Sequence, residues 1–193
     1  MKEYNDVILY KICRPIIKFL VNIIFRPKII GSENIPNNGK IILAGNHTSK
    51  FDGALVISCT KRNVHFLAKS ELFKGVKGIF FNRFGLISVN RKAKDKTVLI
   101  NAKKYLNNGC VVGIFPEGTT RKSSVKMLPF KIGAVKLSYD TDTKIIPFKI
   151  TGDYRLLTRN LKIVFGKPFI AHENLDESNN ELYNIIDNLK ESV

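Results

Sequence analysis

The feature that most constrains this chain is a buried strand that ends in a polar turn and continues into a helix. The apolar run of residues 41–44 stops at Gly45, and the largely polar stretch Asn46-His47-Thr48-Ser49-Lys50-Phe51-Asp52 follows it. Residues 53–58 are apolar again and read as a helix, for which Ser49 is a suitable N-cap and Asp52 closes a capping box. Strand, turn and helix in this order are the repeating unit of α/β domains.

The turn brings a histidine and a carboxylate within reach of each other. On one continuous helix, a separation of five residues would place His47 and Asp52 on different faces. Across a turn, the chain can fold His47 back towards Asp52. A carboxylate there fixes the imidazole tautomer and stabilises the imidazolium, which is the arrangement of a general base. The stretch also fits an ordinary capped helix start with an incidental histidine, and it leaves both interpretations open.

The rest of the chain alternates strands with helices, without repeats or low-complexity segments. Continuous apolar runs such as residues 110–115 are typical of strands buried on both faces of a sheet. The sequence therefore predicts a single α/β domain with a mixed, mostly parallel sheet covered by helices. The predicted strands are 28–31, 41–44, 64–68, 85–91, 110–115, 144–150 and 161–165. The predicted helices are 53–58, 75–84 (a helix or a helical loop), 94–106, 131–139 and 178–189.

Residues 1–27 are predicted to form an amphipathic helix that precedes the α/β domain of residues 28–193. The polar positions of this segment recur every three or four residues, so on a helix they form one stripe opposite an apolar face. The stripe consists of Lys11, Arg14, Lys18, Asn22 and Arg26. Such a helix suits the membrane interface, where each basic residue near an anionic surface adds about 1 kcal/mol. A first helix packed on the domain's own core is the alternative.

The same segment does not read as a membrane span or a signal peptide. Its longest uncharged run, residues 19–25, is far shorter than a bilayer crossing requires. A small-residue cleavage site does not follow it, so we do not expect a secretory signal.

The charge of the chain implies an anionic partner, such as nucleic acid, anionic lipid or a phosphorylated substrate. The 32 Lys and Arg residues exceed the 16 Asp and Glu residues, and the net charge is +16. Residues 50–104 carry 13 basic and 3 acidic side chains, whereas residues 171–193 carry 1 basic and 6 acidic ones. Cys13, Cys59 and Cys110 lie in apolar surroundings without paired or metal-like spacing, which predicts reduced thiols in a reducing compartment.

A second strand end carries a comparable polar cluster. The apolar run 110–115 leads directly into Pro116-Glu117-Gly118-Thr119-Thr120-Arg121. Loops at strand ends are where open α/β sheets place their sites, and Gly118 allows the backbone to approach an anion closely. Alone, this loop also fits an ordinary turn with a solvated glutamate.

Together, the two clusters resemble the glycerolipid acyltransferase family, specifically the bacterial 1-acylglycerol-3-phosphate acyltransferases. Four motifs appear in the family's order, and the resemblance covers residues 29–167. The motifs are His-x4-Asp at His47 and Asp52, Gly-x-Ile-x-Val-x-Arg ending at Arg91, Phe-Pro-Glu-Gly at 115–118, and Pro147 within an apolar strand. The chain departs from the family's pattern at Gly75, in loop 121–127 and at Lys149. These differences concern the selectivity for the acyl group or the acceptor, not the reaction class.

The resemblance implies that His47 takes the proton from an acceptor hydroxyl as it attacks an acyl thioester, and that Asp52 orients the imidazole. It also implies a site for the substrate's phosphate and glycerol groups, formed by Arg91, Glu117, Gly118 and Thr119. In that site we expect Glu117 to orient a basic side chain or a glycerol hydroxyl. The expected reaction moves a fatty acyl group from acyl-CoA or acyl carrier protein to the sn-2 hydroxyl of 1-acyl-sn-glycerol 3-phosphate. The product is phosphatidic acid, a precursor in phospholipid biosynthesis.

We expect no cofactor, because the acyl donor is itself a substrate. We expect no metal, since His65 and His172 lack partners at ligand spacing. The expected partners are a membrane lipid surface, a lysophospholipid acceptor and the thioester donor, without nucleic acid, at the cytoplasmic face of the cell membrane as a peripheral or monotopic protein. The basic residues of segment 50–104 are candidate contacts for anionic headgroups, carrier phosphates or an acidic carrier protein, and a solvated lysine-rich face is the alternative.

Other functions compete with this one. The same chemistry can act on another lysophospholipid or on a lyso-aminolipid. A basic nucleic-acid-binding domain is a further possibility, although the chain shows neither an aromatic ribonucleoprotein motif nor a helix-turn-helix pattern. A catalytically silent membrane-binding relative is disfavoured by the presence of His47, Asp52, Arg91 and Glu117.

Overall fold

The computed structural model describes residues 7–89 and 96–190, and these residues build a seven-stranded sheet in the order β1-β7-β6-β2-β5-β3-β4. The strands are β1 (Lys28–Ile30), β2 (Ile41–Gly45), β3 (Val64–Lys69), β4 (Ile87–Val89), β5 (Val111–Ile114), β6 (Ile145–Thr151) and β7 (Lys162–Phe165). The helices are α1 (Ile8–Ile24), α2 (Asp52–Cys59), α3 (Gly75–Arg83), α4 (Lys96–Asn107), α5 (Gly133–Thr141) and α6 (Leu175–Asn188).

The sheet is mixed and mostly parallel, which confirms the predicted fold class. Strand β2 runs parallel to β5 and β6, and β3 runs parallel to β5 and β4. Only β7 and its parallel partner β1 run the other way, because β6 and β7 pair antiparallel. The carboxyl ends of β2, β3, β4, β5 and β6 therefore meet at one edge of the sheet, the edge where open α/β sheets place their sites.

Helices cover both faces of the sheet, and alternate residues along each strand supply the two cores. Ile41 and Leu43 face the core shared with α1 and α2, whereas Ile42 and Ala44 face the core shared with α4, α5 and α6. Because successive side chains of a strand point to opposite faces, an apolar run without polar interruption is the pattern of a strand buried on both sides. All five residues of β2 and all four of β5 are buried.

Helix α1 packs on the domain with one face and exposes the other. Tyr10 is fully buried, and its hydroxyl donates to the Arg62 carbonyl oxygen (3.2 Å) and accepts from the Val64 amide (3.1 Å). On the face that carries Tyr10, α1 therefore packs on the core of the domain, as the alternative interpretation of the sequence predicted. The opposite face remains exposed through Ile8, Ile12, Ile16, Phe19, Leu20 and Ile23.

None of the helices within residues 7–89 and 96–190 combines the length and the hydropathy that a bilayer crossing requires. Residue 27, the predicted boundary of the amino-terminal segment, falls between the end of α1 and the start of β1. The separate role of segment 1–27 stays a prediction.

The predicted helix starts at residues 53, 131 and 178 differ from the observed starts at Asp52, Gly133 and Leu175, and local hydrogen bonds explain the first and the last. Helix α2 begins at Asp52 with Phe51 as N-cap; the hydroxyl of Ser49 accepts from the Phe51 amide and does not cap the helix. Helix α6 begins at Leu175, three residues before the predicted 178, because the Asn174 side chain caps it by accepting from the Glu177 amide. Asn-x-x-Glu is a capping signal that the apolar periodicity alone does not contain.

Candidate active site

The two polar clusters lie side by side at the carboxyl edge of the sheet. Strands β2 and β5 are neighbours in register, with Ala44 opposite Ile114. The chain leaves β2 into His47 and leaves β5 into Phe115 and Glu117, so parallel pairing brings together residues that are about seventy positions apart. A backbone hydrogen bond from the Arg121 amide to the His47 carbonyl oxygen (3.0 Å) joins the two loops.

Glu117 clamps these loops from within. Its side chain is fully buried, and Oε1 accepts from the backbone amide of His47 at 2.8 Å. Oε2 accepts from Arg121 Nε at 2.8 Å and from the Leu128 amide at 2.9 Å. A buried carboxylate is stable only when charged and polar donors satisfy it, and three donors do so here. The basic side chain that Glu117 orients is thus Arg121, and both carboxylate oxygens point into the protein rather than towards a substrate.

His47 and Asp52 form a hydrogen-bonded pair across the turn. His47 Nδ1 lies 2.8 Å from Asp52 Oδ2, and the carboxylate is fully buried. Asp52 also accepts from the amides of Thr48 (2.6 Å) and Ser49 (2.9 Å), from the Thr48 hydroxyl (3.2 Å) and from the Tyr154 hydroxyl (2.6 Å). Because the ionised carboxylate only accepts hydrogen bonds, Nδ1 carries the proton and Nε2 keeps its lone pair. That lone pair is what a general base needs.

Aromatic side chains fix the plane of the imidazole. The ring of His47 stacks on Phe115 with centroids 4.2 Å apart and an interplanar angle of 13°. Phe115 in turn stacks on Phe66 (5.3 Å) and meets the edge of Phe148 (5.9 Å). The histidine side chain is 19% exposed, so it opens to one side of the site only.

That open side borders a cavity of about 180 Å³. The walls are mostly apolar, and the two charged or titratable side chains among the lining residues are His47 and Lys131. The lining consists of His47, Leu67, Val89, Leu99, Ile114, Phe115, Pro116, Gly118, Lys131, Gly133 and Ala134. The arrangement can activate a hydroxyl at Nε2 while a cation holds an anionic group a short distance away.

The structure brings most of the predicted site residues to this edge. Gly118 has φ +70°, and a Cβ there would lie 2.9 Å from both Cε and Nζ of Lys131, so glycine is what lets this lysine lie against the loop. Thr119 is exposed beside it. Arg91 lies outside the described residues, although Val89, two positions earlier, lines the cavity. The binding roles of these four residues, Glu117 included, stay predictions.

Sequence reasoning did not assign three residues that shape the site. Lys131 lies in the segment Pro129–Ala134, which is outside the four motifs but within the residues that the family resemblance covers. That resemblance was the available signal for a role of Lys131. Arg121 closes the clamp with Glu117 as an i,i+4 pair. Tyr154 reaches Asp52 from 102 residues away in sequence, and short-range spacing contains no sign of such a contact.

The remaining reactive groups are not placed for this chemistry. Burial raises the pKa of the Cys59 thiol to about 12 and that of Cys110 to about 11, so neither is a thiolate at neutral pH. His65 is fully buried, its Nδ1 lies 2.7 Å from the Gly85 carbonyl oxygen, and burial lowers its pKa. His172 does meet carboxylates at ligand distance, contrary to expectation: Glu177 and Glu181 lie beside it, but all three are exposed.

Comparison with known proteins agrees with this geometry. The family model described as Acyltransferase matches residues 26–151. The chain belongs to the acyltransferase family. It is 31% identical over 147 residues to a 1-acyl-sn-glycerol-3-phosphate acyltransferase of Borreliella burgdorferi, a match that covers 75% of this chain and 58% of the relative. It is 26% identical over 166 residues to the Bacillus subtilis enzyme of the same name, covering 83% of this chain and 82% of the relative.

The fold of this acyltransferase also matches a solved structure. The crystal structure of a 1-acyl-sn-glycerophosphate acyltransferase from Thermotoga maritima superimposes with a TM-score of 0.68 and 26% sequence identity. The match covers 84% of this chain and 70% of that one. The match spans only 58% of the length of the Borreliella relative.

The clamp makes Glu117 a stability determinant. In Glu117→Gln, the side-chain nitrogen of glutamine replaces one carboxylate oxygen and cannot accept a hydrogen bond from the donor that it faces. Arg121 also loses its buried counter-ion. We expect a loss of about 2–4 kcal/mol in the free energy of unfolding, measured from urea midpoints. Asp140→Asn is the matched control, because Asp140 pairs with Lys103 and Lys136 nearer the surface, and it should cost less than about 1 kcal/mol. Equal urea midpoints for Glu117→Gln and the wild type would contradict the clamp.

Proposed function

We propose that this acyltransferase moves a fatty acyl group from an acyl thioester to the sn-2 hydroxyl of 1-acyl-sn-glycerol 3-phosphate, forming phosphatidic acid. The observation that carries the proposal is the His47–Asp52 pair, 2.8 Å apart, opening on a cavity that also holds Lys131. The names of the two relatives and of the solved structure, which are all 1-acylglycerophosphate acyltransferases, support the choice of acceptor. The four ordered motifs support the assignment of roles.

The chemistry is a direct transfer. His47 Nε2 accepts the proton of the acceptor hydroxyl while its oxygen attacks the thioester carbonyl carbon. The tetrahedral intermediate then collapses, the carbon–sulfur bond breaks, and the departing thiolate takes the proton from the imidazolium. Asp52 stabilises the imidazolium between these steps, and such acid–base assistance is typically worth about 10²- to 10⁴-fold. Cys13, Cys59 and Cys110 lie outside the four motifs and do not line the cavity beside His47, so a cysteinyl acyl-enzyme is not part of the proposed route.

The acceptor's phosphate needs a cation near the base. Lys131 lines the cavity together with His47, and its ammonium lies against Gly118. We assign the phosphate to Lys131 and to the predicted partner Arg91, whose planar guanidinium suits bidentate binding. Gly118 lines the same cavity, and we assign its neighbour Thr119 to the glycerol phosphate as well. Glu117 acts through the His47 amide and through Arg121, so it is a positioning residue.

The donor is acyl-CoA or acyl carrier protein, and no further cofactor enters the reaction. Both donors carry phosphate, and the basic segment 50–104 presents exposed Lys69, Lys74 and Arg83 within its described part. Another lysophospholipid or a lyso-aminolipid is the alternative acceptor, since the same base activates any hydroxyl placed in the cavity.

We further propose that segment 1–27 docks the enzyme on the membrane surface through the exposed face of α1. Helix α3 extends this face: Val76 and Ile79 are 83% and 56% exposed. Between α1 and α3 lies an open, mainly apolar groove of about 770 Å³ with Arg83 at its border. Apolar side chains rimmed by basic ones are the pattern of a helix lying in the interface of an anionic bilayer. The thioester donors and the reduced cysteines favour the cytoplasmic face of the cell membrane.

The base is tested by acyl transfer to 1-acyl-sn-glycerol 3-phosphate in mixed micelles, with acyl-CoA and acyl carrier protein offered as donors. We expect phosphatidic acid from the wild type. His47→Ala should lower kcat by about 10²-fold or more, because the hydroxyl loses its proton acceptor. His172→Ala, which removes an exposed histidine away from the cavity, should match the wild type. Product from His47→Ala at the wild-type rate would remove His47 from the mechanism, and product only with other lysolipids would favour the alternative acceptor.

The phosphate contact is tested by acceptor selectivity. Lys131→Met keeps the length of the side chain and removes its charge. We expect KM for 1-acyl-sn-glycerol 3-phosphate to rise about tenfold, as for the loss of one charged hydrogen bond, while the slow reaction with uncharged monoacylglycerol is unchanged. Lys136→Met, on α5 and paired with Asp140, is the control. An equal effect of Lys131→Met on both acceptors would show that Lys131 does not read the phosphate.

A further inference from the structure

One loop touches both the catalytic carboxylate and the end of the membrane-facing helix. It comprises residues 153–160, after β6, and it stands at the edge of the sheet that carries the active site. Its base is closed tightly: Gly152 has φ +79°, and a Cβ there would lie 1.9 Å from the Asn160 carbonyl oxygen. Tyr154 is the one residue of the loop that is not exposed.

Tyr154 connects this loop to the active site. Its hydroxyl donates to Asp52 Oδ1 at 2.6 Å, on the carboxylate oxygen that His47 does not use. Burial, together with the charge of Asp52, raises the pKa of Tyr154, so the phenol stays a donor. Through this bond the phenol offsets part of the carboxylate charge that His47 experiences.

The same tyrosine contacts the end of α1. Its ring meets the edge of Phe25, the residue that caps α1, with centroids 5.1 Å apart, and it lies 5.8 Å from Phe51 in the His47–Asp52 turn. The amide of Leu157 donates to the Ile24 carbonyl oxygen at 2.7 Å. The loop is therefore bonded directly to the last turn of the helix that exposes Phe19, Leu20 and Ile23.

The tip of the loop has the composition of a bilayer contact. Leu156 and Leu157 are 69% and 58% exposed, and Arg155 and Arg159 flank them. Leu157 and Arg159 have φ values of +60° and +53°, an uncommon backbone conformation for side chains with a Cβ. Strain of this kind persists where the surrounding contacts hold the loop in place, and it is enriched at functional sites. Exposed leucines beside arginines, continuous with the apolar face of α1, fit an anionic lipid surface.

We propose that loop 153–160 is a second bilayer contact of this enzyme, and that Tyr154 is a positioning residue through which the loop sets the His47–Asp52 pair. The inference rests on the proposed function for its biological meaning. In this proposal, contact of Leu156 and Leu157 with the bilayer fixes the position of the loop. The fixed loop keeps the Tyr154 hydroxyl bonded to Asp52, and Asp52 in turn keeps the His47 ring oriented. Among the described residues, the titratable or charged groups near the pair include Glu117 behind the His47 amide, Arg121 paired with Glu117, Lys131 at the cavity and Cys59 on α2.

Vesicle binding tests the first half of the proposal without any assay of catalysis. The double variant Leu156→Ser, Leu157→Ser should bind about tenfold more weakly than the wild type in sedimentation with vesicles of equal phosphatidylcholine and phosphatidylglycerol. Ile170→Ser, which removes a 48% exposed isoleucine from another surface, is the control and should sediment like the wild type. Equal sedimentation of the double variant and the wild type would overturn the bilayer contact.

The second half is tested by the titration of His47 observed by NMR. Tyr154→Phe keeps the ring and removes the donor, so the full charge of Asp52 acts on the imidazolium. We expect the titration midpoint of His47 to rise by about half a pH unit. Tyr183→Phe, whose hydroxyl donates to the Met127 carbonyl oxygen, should leave it unchanged. An unchanged midpoint in Tyr154→Phe would overturn the positioning role. Neither readout requires acyl transfer, so failure of the proposed reaction would be seen separately.

Discussion

The buried carboxylate of Glu117 is the interaction on which the rest of the site depends. It lies between the loops that follow β2 and β5 and satisfies the His47 amide, Arg121 and the Leu128 amide at once. Parallel pairing of β2 with β5 brings the two loops to the same edge, but pairing alone does not fix their conformation. The clamp fixes the conformation, because burial costs a carboxylate several kcal/mol of hydration, and its donors offset this cost only when all of them are in place.

Given that clamp, the geometry of the His47–Asp52 pair follows from local hydrogen bonds. The turn after His47 lets Thr48 and Ser49 donate to Asp52 from their backbone, and the same carboxylate receives His47 Nδ1. Stacking on Phe115 then fixes the ring plane, and Phe115 belongs to the loop that carries Glu117. The two clusters that the sequence separates by about seventy residues act as one unit. The base, its orienting carboxylate and the nearby cation of Lys131 therefore share one framework.

The sequence predicts the strands and the His47–Asp52 turn better than it predicts contacts between residues that are distant in sequence. Continuous apolar runs identify β2 and β5, and the five-residue spacing correctly predicts that His47 and Asp52 meet across a turn. The predicted N-cap of α2 was wrong, because the hydroxyl of Ser49 accepts from the Phe51 amide, although Asp52 does accept from the Ser49 amide as a capping box requires. Tyr154 could not be predicted, since its contact with Asp52 depends on how the loop after β6 folds back over the sheet edge.

The exposed apolar face of α1 and the His47–Asp52 pair lie at neighbouring positions, connected through Tyr154. Phe25, buried directly after α1, contacts the ring of Tyr154, and the Tyr154 hydroxyl donates to Asp52. Under the proposed function, the acceptor and the product both reside in a bilayer, and a site beside the proposed docking surface would spare the substrate from leaving the lipid phase. The basic residues concentrate in segment 50–104 and the acidic residues in the carboxyl-terminal segment, so the charge is divided unevenly along the chain.

The central claim is that His47 acts as a base because Asp52 holds its Nδ1 proton. The most direct measurement is kcat for phosphatidic acid formation by Asp52→Asn, which keeps the size of the side chain and removes the acceptor that selects the tautomer. We expect kcat to fall by about 10²- to 10⁴-fold, with KM for the acceptor little changed. A variant that retains wild-type kcat would contradict the account.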